Sequence, residues 1–138
     1  MSNFVADASA AAAWCFEDEA TPASEALLDR VGRDGVIVPS LWYIELSNVL
    51  CLADRKGRIT SQQLAGAVSL LNSLRISVDD QTSRRAFADT LHLARTHRLT
   101  AYDAAYLELA LRLGLPLASK DQDLRRAAQQ VGVELLEV

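Results

Sequence analysis

Four carboxylates stand where a charge needs explaining. Asp7 follows the apolar run Phe4-Val5-Ala6 and precedes a run of alanines. Glu45 lies inside Leu41-Trp42-Tyr43-Ile44-Glu45-Leu46, Asp103 inside Leu99-Thr100-Ala101-Tyr102-Asp103-Ala104-Ala105-Tyr106, and Asp121 inside Ser119-Lys120-Asp121-Gln122-Asp123-Leu124. Each also has an ordinary reading. Asp7 suits a helix cap, although Ser9 is available for that job. Glu45 suits the exposed stripe of an amphipathic helix. Asp103 has capping-box spacing from Thr100 and favours the helix dipole. Asp121 suits the cap of the last helix, a role Asp123 fills equally well, so Asp123 stays open between cap, fifth ligand and neither. Taken together the four say more. Carboxylates held close repel, and some of their pKa values rise unless a cation neutralises them. Oxygen ligands without a nitrogen or sulfur constellation select a hard ion, Mg²⁺ or Mn²⁺.

The remaining chemistry-bearing residues read more plainly. His92 and His97 are five apart on a predicted helix and do not share a face, so they read as ordinary helix residues. Trp14, Trp42, Tyr102 and Tyr106 could stack on bases, but core packing is the better reading for each. Glu108 reads as a surface helix charge. Cys15 and Cys51 form no CxxC or zinc pattern and read as buried free thiols in a reducing cytosol.

These residues need elements to hold them. The 138-residue chain suits a single domain, 1–138. Half of it is hydrophobic, 23% is charged and only 6% is aromatic, which favours helices packed on a sheet over an all-β fold. Short apolar strands are predicted at 4–6, 36–38, 75–78, 115–119 and 133–136. Helices are predicted from Ser9 to about 16, over 22–31 after the Thr21-Pro22 start, from Ser40 to near Gly57, after the Thr60/Gln63 capping box, and over 82–97, 101–113 and 123–131. This alternation predicts a three-layer α/β/α sandwich with a short, mostly parallel central sheet. Such sheets bind ligands outside the carboxyl ends of their strands. Asp7 ends the first strand, and Asp121 lies just past the fourth. No basic leader opens the chain and no uncharged apolar run is long enough for a membrane span, so a cytoplasmic protein is expected.

The strand-end Asp7-Ala8-Ser9, the Pro39-to-Glu45 segment, the Leu99-to-Tyr106 segment and Leu117-Ala118-Ser119-Lys120-Asp121 resemble the four acidic motifs of PIN domains. They occur in the family's order and span essentially the whole chain. Length and motif wording are most similar to VapC toxins of bacterial toxin–antitoxin pairs. The resemblance implies a PIN-like fold and a Mg²⁺- or Mn²⁺-dependent endoribonuclease leaving 5′-phosphate and 3′-hydroxyl ends. It implies Asp7, Glu45, Asp103 and Asp121 as the metal-site acids, with Asp123 as an extra, and Ser9 and Ser119 as supporting hydroxyls. It further implies a homodimer and a small antitoxin protein that covers the site.

The net charge of −4 runs against a non-specific nucleic-acid binder, so RNA must be held locally. Lys120, Arg125 and Arg126 near the last motif, and Arg95 and Arg98 before the third, are the candidate contacts. Two alternatives keep the fold: a binding scaffold that has lost catalysis, and a DNA-cutting relative. A phospho-aspartyl protein is disfavoured. A receiver expects paired acids after the first strand, and a phosphatase expects Asp-x-Asp where this chain has Asp7-Ala8-Ser9.

Overall fold

The structure, a computed structural model, describes residues 3–138. Met1 and Ser2, on which part of the reading of the chain's opening rests, lie outside the described residues. Strands β1 (Phe4–Ala6), β2 (Val36–Val38), β3 (Ile76–Val78) and β4 (Leu117–Ala118) form a parallel sheet in the order β3-β2-β1-β4. All three residues of β1 are fully buried, which is why it reads as an unbroken apolar run. Helices flank the sheet, as the alternation of elements predicts. They are α1 (Ala8–Cys15), α2 (Pro22–Asp34), α3 (Trp42–Arg55), α4 (Ser61–Ser73), α5 (Thr82–Arg85), α6 (Leu91–His97), α7 (Ala101–Leu113) and α8 (Gln122–Val131).

Local chemistry accounts for most element boundaries. Thr21 and Ser24 cap α2 reciprocally, with Pro22 in its first turn, and Thr60 and Gln63 do the same for α4. Of the two glycines expected to end α2, Gly32 lies inside the helix and Gly35 closes it. A mid-helix glycine costs only about 1 kcal/mol. At Gly35, φ is +80° and a Cβ would lie 3.1 Å from the Arg75 carbonyl oxygen, so the chain needs glycine to enter β2 beside β3. Helix α3 begins at Trp42, two residues after Ser40, without a side-chain cap.

Other expectations are corrected. Residues 82–97 are not one helix. A π-helical turn, Ala86–Thr90, separates α5 from α6, with Ala88 outside helical geometry. The extra residue of such a turn re-phases the helix faces; Phe87 is 93% exposed and Thr90 is buried. No proline or glycine marks this break. Residues 133–136 form no strand. They contribute a single parallel bridge, Leu117 to Leu135, because β4 itself has only two residues to pair with. Cys15 is partly exposed and Cys51 exposed, against the buried thiols expected. Tyr102 is 65% exposed, whereas Trp14, Trp42 and Tyr106 pack in the core as read. Glu108 is no surface charge. It is buried, and Arg112 bonds both to it at 2.8 Å and to buried Asp79 at 2.7 Å. The i, i+4 spacing to Arg112 is visible in the sequence; the third member, from the turn after β3, is not.

Candidate metal centre

The chain builds β1, β2 and β3 outward in one direction, then places β4 on the other side of β1. The strand order therefore reverses between β1 and β4, where an open parallel sheet leaves a crevice at its carboxyl edge. Ala6 is in register with Ala118, and Asp7 N donates to Ala118 O at 3.1 Å. The next residues on the two strands, Asp7 and Ser119, meet there. Ser119 Oγ donates to Asp7 Oδ2 at 2.5 Å. The other oxygen, Oδ1, accepts from Ser9 Oγ at 2.7 Å and Ala10 N at 2.9 Å. Asp7 itself therefore caps α1, in place of Ser9. The Ser9 hydroxyl instead ties the two strand ends together, donating to Asp7 and accepting from Lys120 N at 2.9 Å. Ser119 Oγ also accepts from Asp121 N at 3.0 Å.

Asp121 caps α8, with Oδ1 accepting from Leu124 N at 2.9 Å. Asp123 takes another path: its exposed side chain pairs with Arg126 at 2.7 Å. Glu45, in the first turn of α3, accepts at Oε1 from Tyr106 Oη of α7 at 2.5 Å. Asp103 sits in the first turn of α7, one turn before Tyr106. Thr100 Oγ1 accepts from Asp103 N at 3.1 Å, yet no reciprocal bond closes a box there. Half of the expected capping box is thus absent, and the Asp103 carboxylate hydrogen-bonds with the Thr100 side chain instead.

Electrostatics link the four acids. Burial raises the pKa of Asp7. Hydrogen bonds from Ser119, Ser9 and Ala10 N oppose that rise, and the Asp121 charge adds to it. Burial also raises Glu45, against the Tyr106 hydrogen bond and with help from the Asp7 charge. Asp103 is pushed up to about 6, first by burial, then by the charges of Asp121, Asp7 and Glu45. Asp7, Glu45 and Asp103 thus each feel at least one other acid of the four, across elements far apart in sequence. Ion pairs among the described residues fall on Asp18, Glu19, Asp79, Asp89, Glu108 and Asp123, and on none of the four.

The donors fit a hard divalent ion: they are carboxylate and hydroxyl oxygens with repulsion to relieve. Among the described residues no three acids close into a ready-made ligand cluster. Asp7, Glu45, Asp103 and Asp121 are the candidate residues that would hold the ion, and Asp123 is paired with Arg126 instead.

The cations near this edge are unequal. Lys120 pairs with Glu19 at 3.6 Å, Arg125 donates to Ser119 O at 2.9 Å, and Arg126 is shared between Asp123 and His97 O. Arg95 and Arg98 are exposed, Arg98 in left-handed geometry at the end of α6. The link from Tyr106 to Glu45 is not part of the sequence reading. Its one signal is the three-residue spacing from Asp103, which puts both on one helix face.

No curated protein matches the sequence. Among solved structures, PAE2754 from Pyrobaculum aerophilum superposes with a TM-score of 0.66 at 22% identity, covering 97% of this chain and 90% of that one. FitAcB from Neisseria gonorrhoeae gives a TM-score of 0.62 at 18% identity, covering 97% of this chain and 96% of that one. At such identities the likeness is one of fold. The model of the PIN domain family, by contrast, matches residues 4–130, from β1 into α8, and so takes in all four acids. The chain belongs to the PIN domain family, whose members are typically metal-dependent nucleases.

Proposed function

We propose that this chain is a Mg²⁺- or Mn²⁺-dependent endoribonuclease that hydrolyses RNA phosphodiester bonds, and that it is the toxin of a toxin–antitoxin pair. The observation that supports the reading is the electrostatic repulsion that links Asp7, Glu45, Asp103 and Asp121, with no ion pair on any of them among the described residues. A divalent ion, when bound, makes a water nucleophilic at neutral pH and stabilises charge on phosphate oxygens. The chain's own part is positional. Ser9, Ser119 and Ala10 N lock the Asp7 carboxylate, and Tyr106 holds Glu45. Asp103 and Asp121 each rest on the first turn of a helix. No side-chain nucleophile is needed. Asp123, engaged with Arg126, is proposed as an outer residue rather than a direct ligand.

RNA is proposed to approach over Arg95 and Arg98, which are free of ion pairs among the described residues, with Lys120, Arg125 and Arg126 as secondary contacts. The chain is further proposed to act as a homodimer in the cytoplasm. Its antitoxin would be a small protein that covers the acidic cleft with a basic side chain. Among the described residues no helix is long and apolar enough to cross a membrane.

The test is cleavage of matched RNA and DNA panels by the purified chain across a Mn²⁺ titration, with end-group analysis of the products. Metal-dependent RNA cutting that Asp7→Asn abolishes supports the proposal. Cutting confined to DNA favours the DNA-cutting relative. Metal-independent cutting, or none by parent and variant alike, refutes the nuclease reading.

A further inference from the structure

We propose that Tyr106 is a positioning residue for the metal site: its hydroxyl holds the Glu45 carboxylate against repulsion from Asp7 and Asp103, and so sets the site's affinity for a divalent cation. The inference rests on the metal-site reading given above. Glu45 is the member with the longest side chain and the most conformations to lose. It is only partly buried, so water is available on its open side. The Asp7 charge repels it, and it repels Asp103 in turn. No lysine or arginine among the described residues holds it back. The hydroxyl of Tyr106, 2.5 Å from Oε1, is the restraint that opposes this repulsion.

Tyr106 is built for that work. Its ring is 1% exposed and fixed in the core, so the hydroxyl cannot follow the carboxylate outward. It stands on α7 one turn after Asp103, so one rigid helix presents one acid directly and orients a second. The phenol takes one lone pair of Oε1, and Oε2 accepts no hydrogen bond among those found in the described residues. The choice of donor matters. An arginine or lysine in this place would hold the carboxylate equally well but would cancel the charge that attracts the metal. A phenol orients without neutralising. A buried hydroxyl needs some acceptor, so a purely structural bond is the competing explanation, and it predicts different behaviour.

The experiment is Mn²⁺ binding by titration calorimetry on the purified chain, for the parent, Tyr106→Phe, Glu45→Gln and the double variant. Each is first checked for a folded circular dichroism spectrum and a melting temperature in EDTA. Tyr106→Phe keeps the ring and removes only the hydroxyl. It is expected to weaken Mn²⁺ about tenfold, the lower end of the loss when an outer partner of a metal ligand is removed. In the Glu45→Gln background the same change is expected to weaken it no further. RNA cleavage by Tyr106→Phe should recover in excess Mn²⁺, as a lost orientation does and a lost fold does not. Unchanged Mn²⁺ affinity in Tyr106→Phe overturns the proposal and leaves the metal site standing. An equal loss in the Glu45→Gln background, or loss of the folded spectrum, assigns the hydroxyl to structure and overturns it too. A parent chain that binds no Mn²⁺ removes the metal site and this inference together.

Discussion

Asp103→Asn should make the metal-free protein more stable while abolishing cleavage. The Asp103 carboxyl is pushed from an ordinary 3.8 to about 6 by burial and three like charges. Below the unfolded value both states hold the proton and the group contributes nothing. Between the two values only the folded state keeps it. Above about pH 6 the folded chain carries a charge it does not favour, so stability falls as pH rises through this window. At about 1.36 kcal/mol per pKa unit the full shift corresponds to about 3 kcal/mol. Asp103 is only partly buried, so solvent screening reduces this to about 1 kcal/mol. Losing a carboxylate from the first turn of α7 costs a few tenths of a kcal/mol in the other direction. The net expectation is a gain of about 0.5 kcal/mol for the asparagine variant at pH 7.5 in EDTA, fading to zero near pH 4. Urea unfolding across that pH range is the assay. With saturating Mn²⁺ the sign should reverse, because only the parent gains binding energy from the ion. A variant less stable than the parent at pH 7.5 in EDTA, or a difference flat from pH 4 to 8, would show that these acids do not strain the fold.

Three further outcomes follow from other contacts. Arg112→Met leaves Glu108 and Asp79 as buried carboxylates without their cation and should cost about 3–5 kcal/mol in urea unfolding, partly recovered by adding Glu108→Gln. A cost under 1 kcal/mol would mean that water already solvates this triad. Ser119→Ala removes a donor from the Asp7 carboxylate, so the Asp7 pKa rises further; the cost, about 1–2 kcal/mol, should grow as pH rises and Asp7 ionises, and a loss independent of pH refutes the assignment. The rise in melting temperature produced by Mn²⁺ should shrink as pH falls below about 6, where Asp103 takes up a proton, and equal shifts at pH 5 and 7.5 would exclude Asp103 from the cation's surroundings.

What the sequence exposes and what it hides divide along one physical line. Local signals survive in one dimension. The Thr21/Ser24 and Thr60/Gln63 boxes, the apolar run of β1 and the cap at Thr100 are read from neighbours a few residues apart, and they stand in the structure where the residues suggest. Asp7 and Asp121 show the limit of that method. Capping and service at a strand-end cleft look like alternatives in the sequence, with Ser9 and Asp123 as spare caps. The structure has both acids cap a helix while Ser119 Oγ links them, donating to Asp7 and accepting from Asp121 N, and one of the supposed spares, Ser9, becomes a strap between strand ends. The two roles are compatible because the amide groups that satisfy a cap also hold the carboxylate rigid and favour its ionised form. What stays hidden is pairing at a distance. Glu108 looks like a helix surface charge because its second neighbour, Asp79, lies beyond Arg112 on another element. The π turn at Ala86–Thr90 leaves no mark because its cause is packing rather than composition. Tyr106 meets Glu45 only because α3 and α7 are brought to the same edge of the sheet. Candidate ligands can thus be named from residue type and order, whereas the groups that aim them appear only once the elements are assembled.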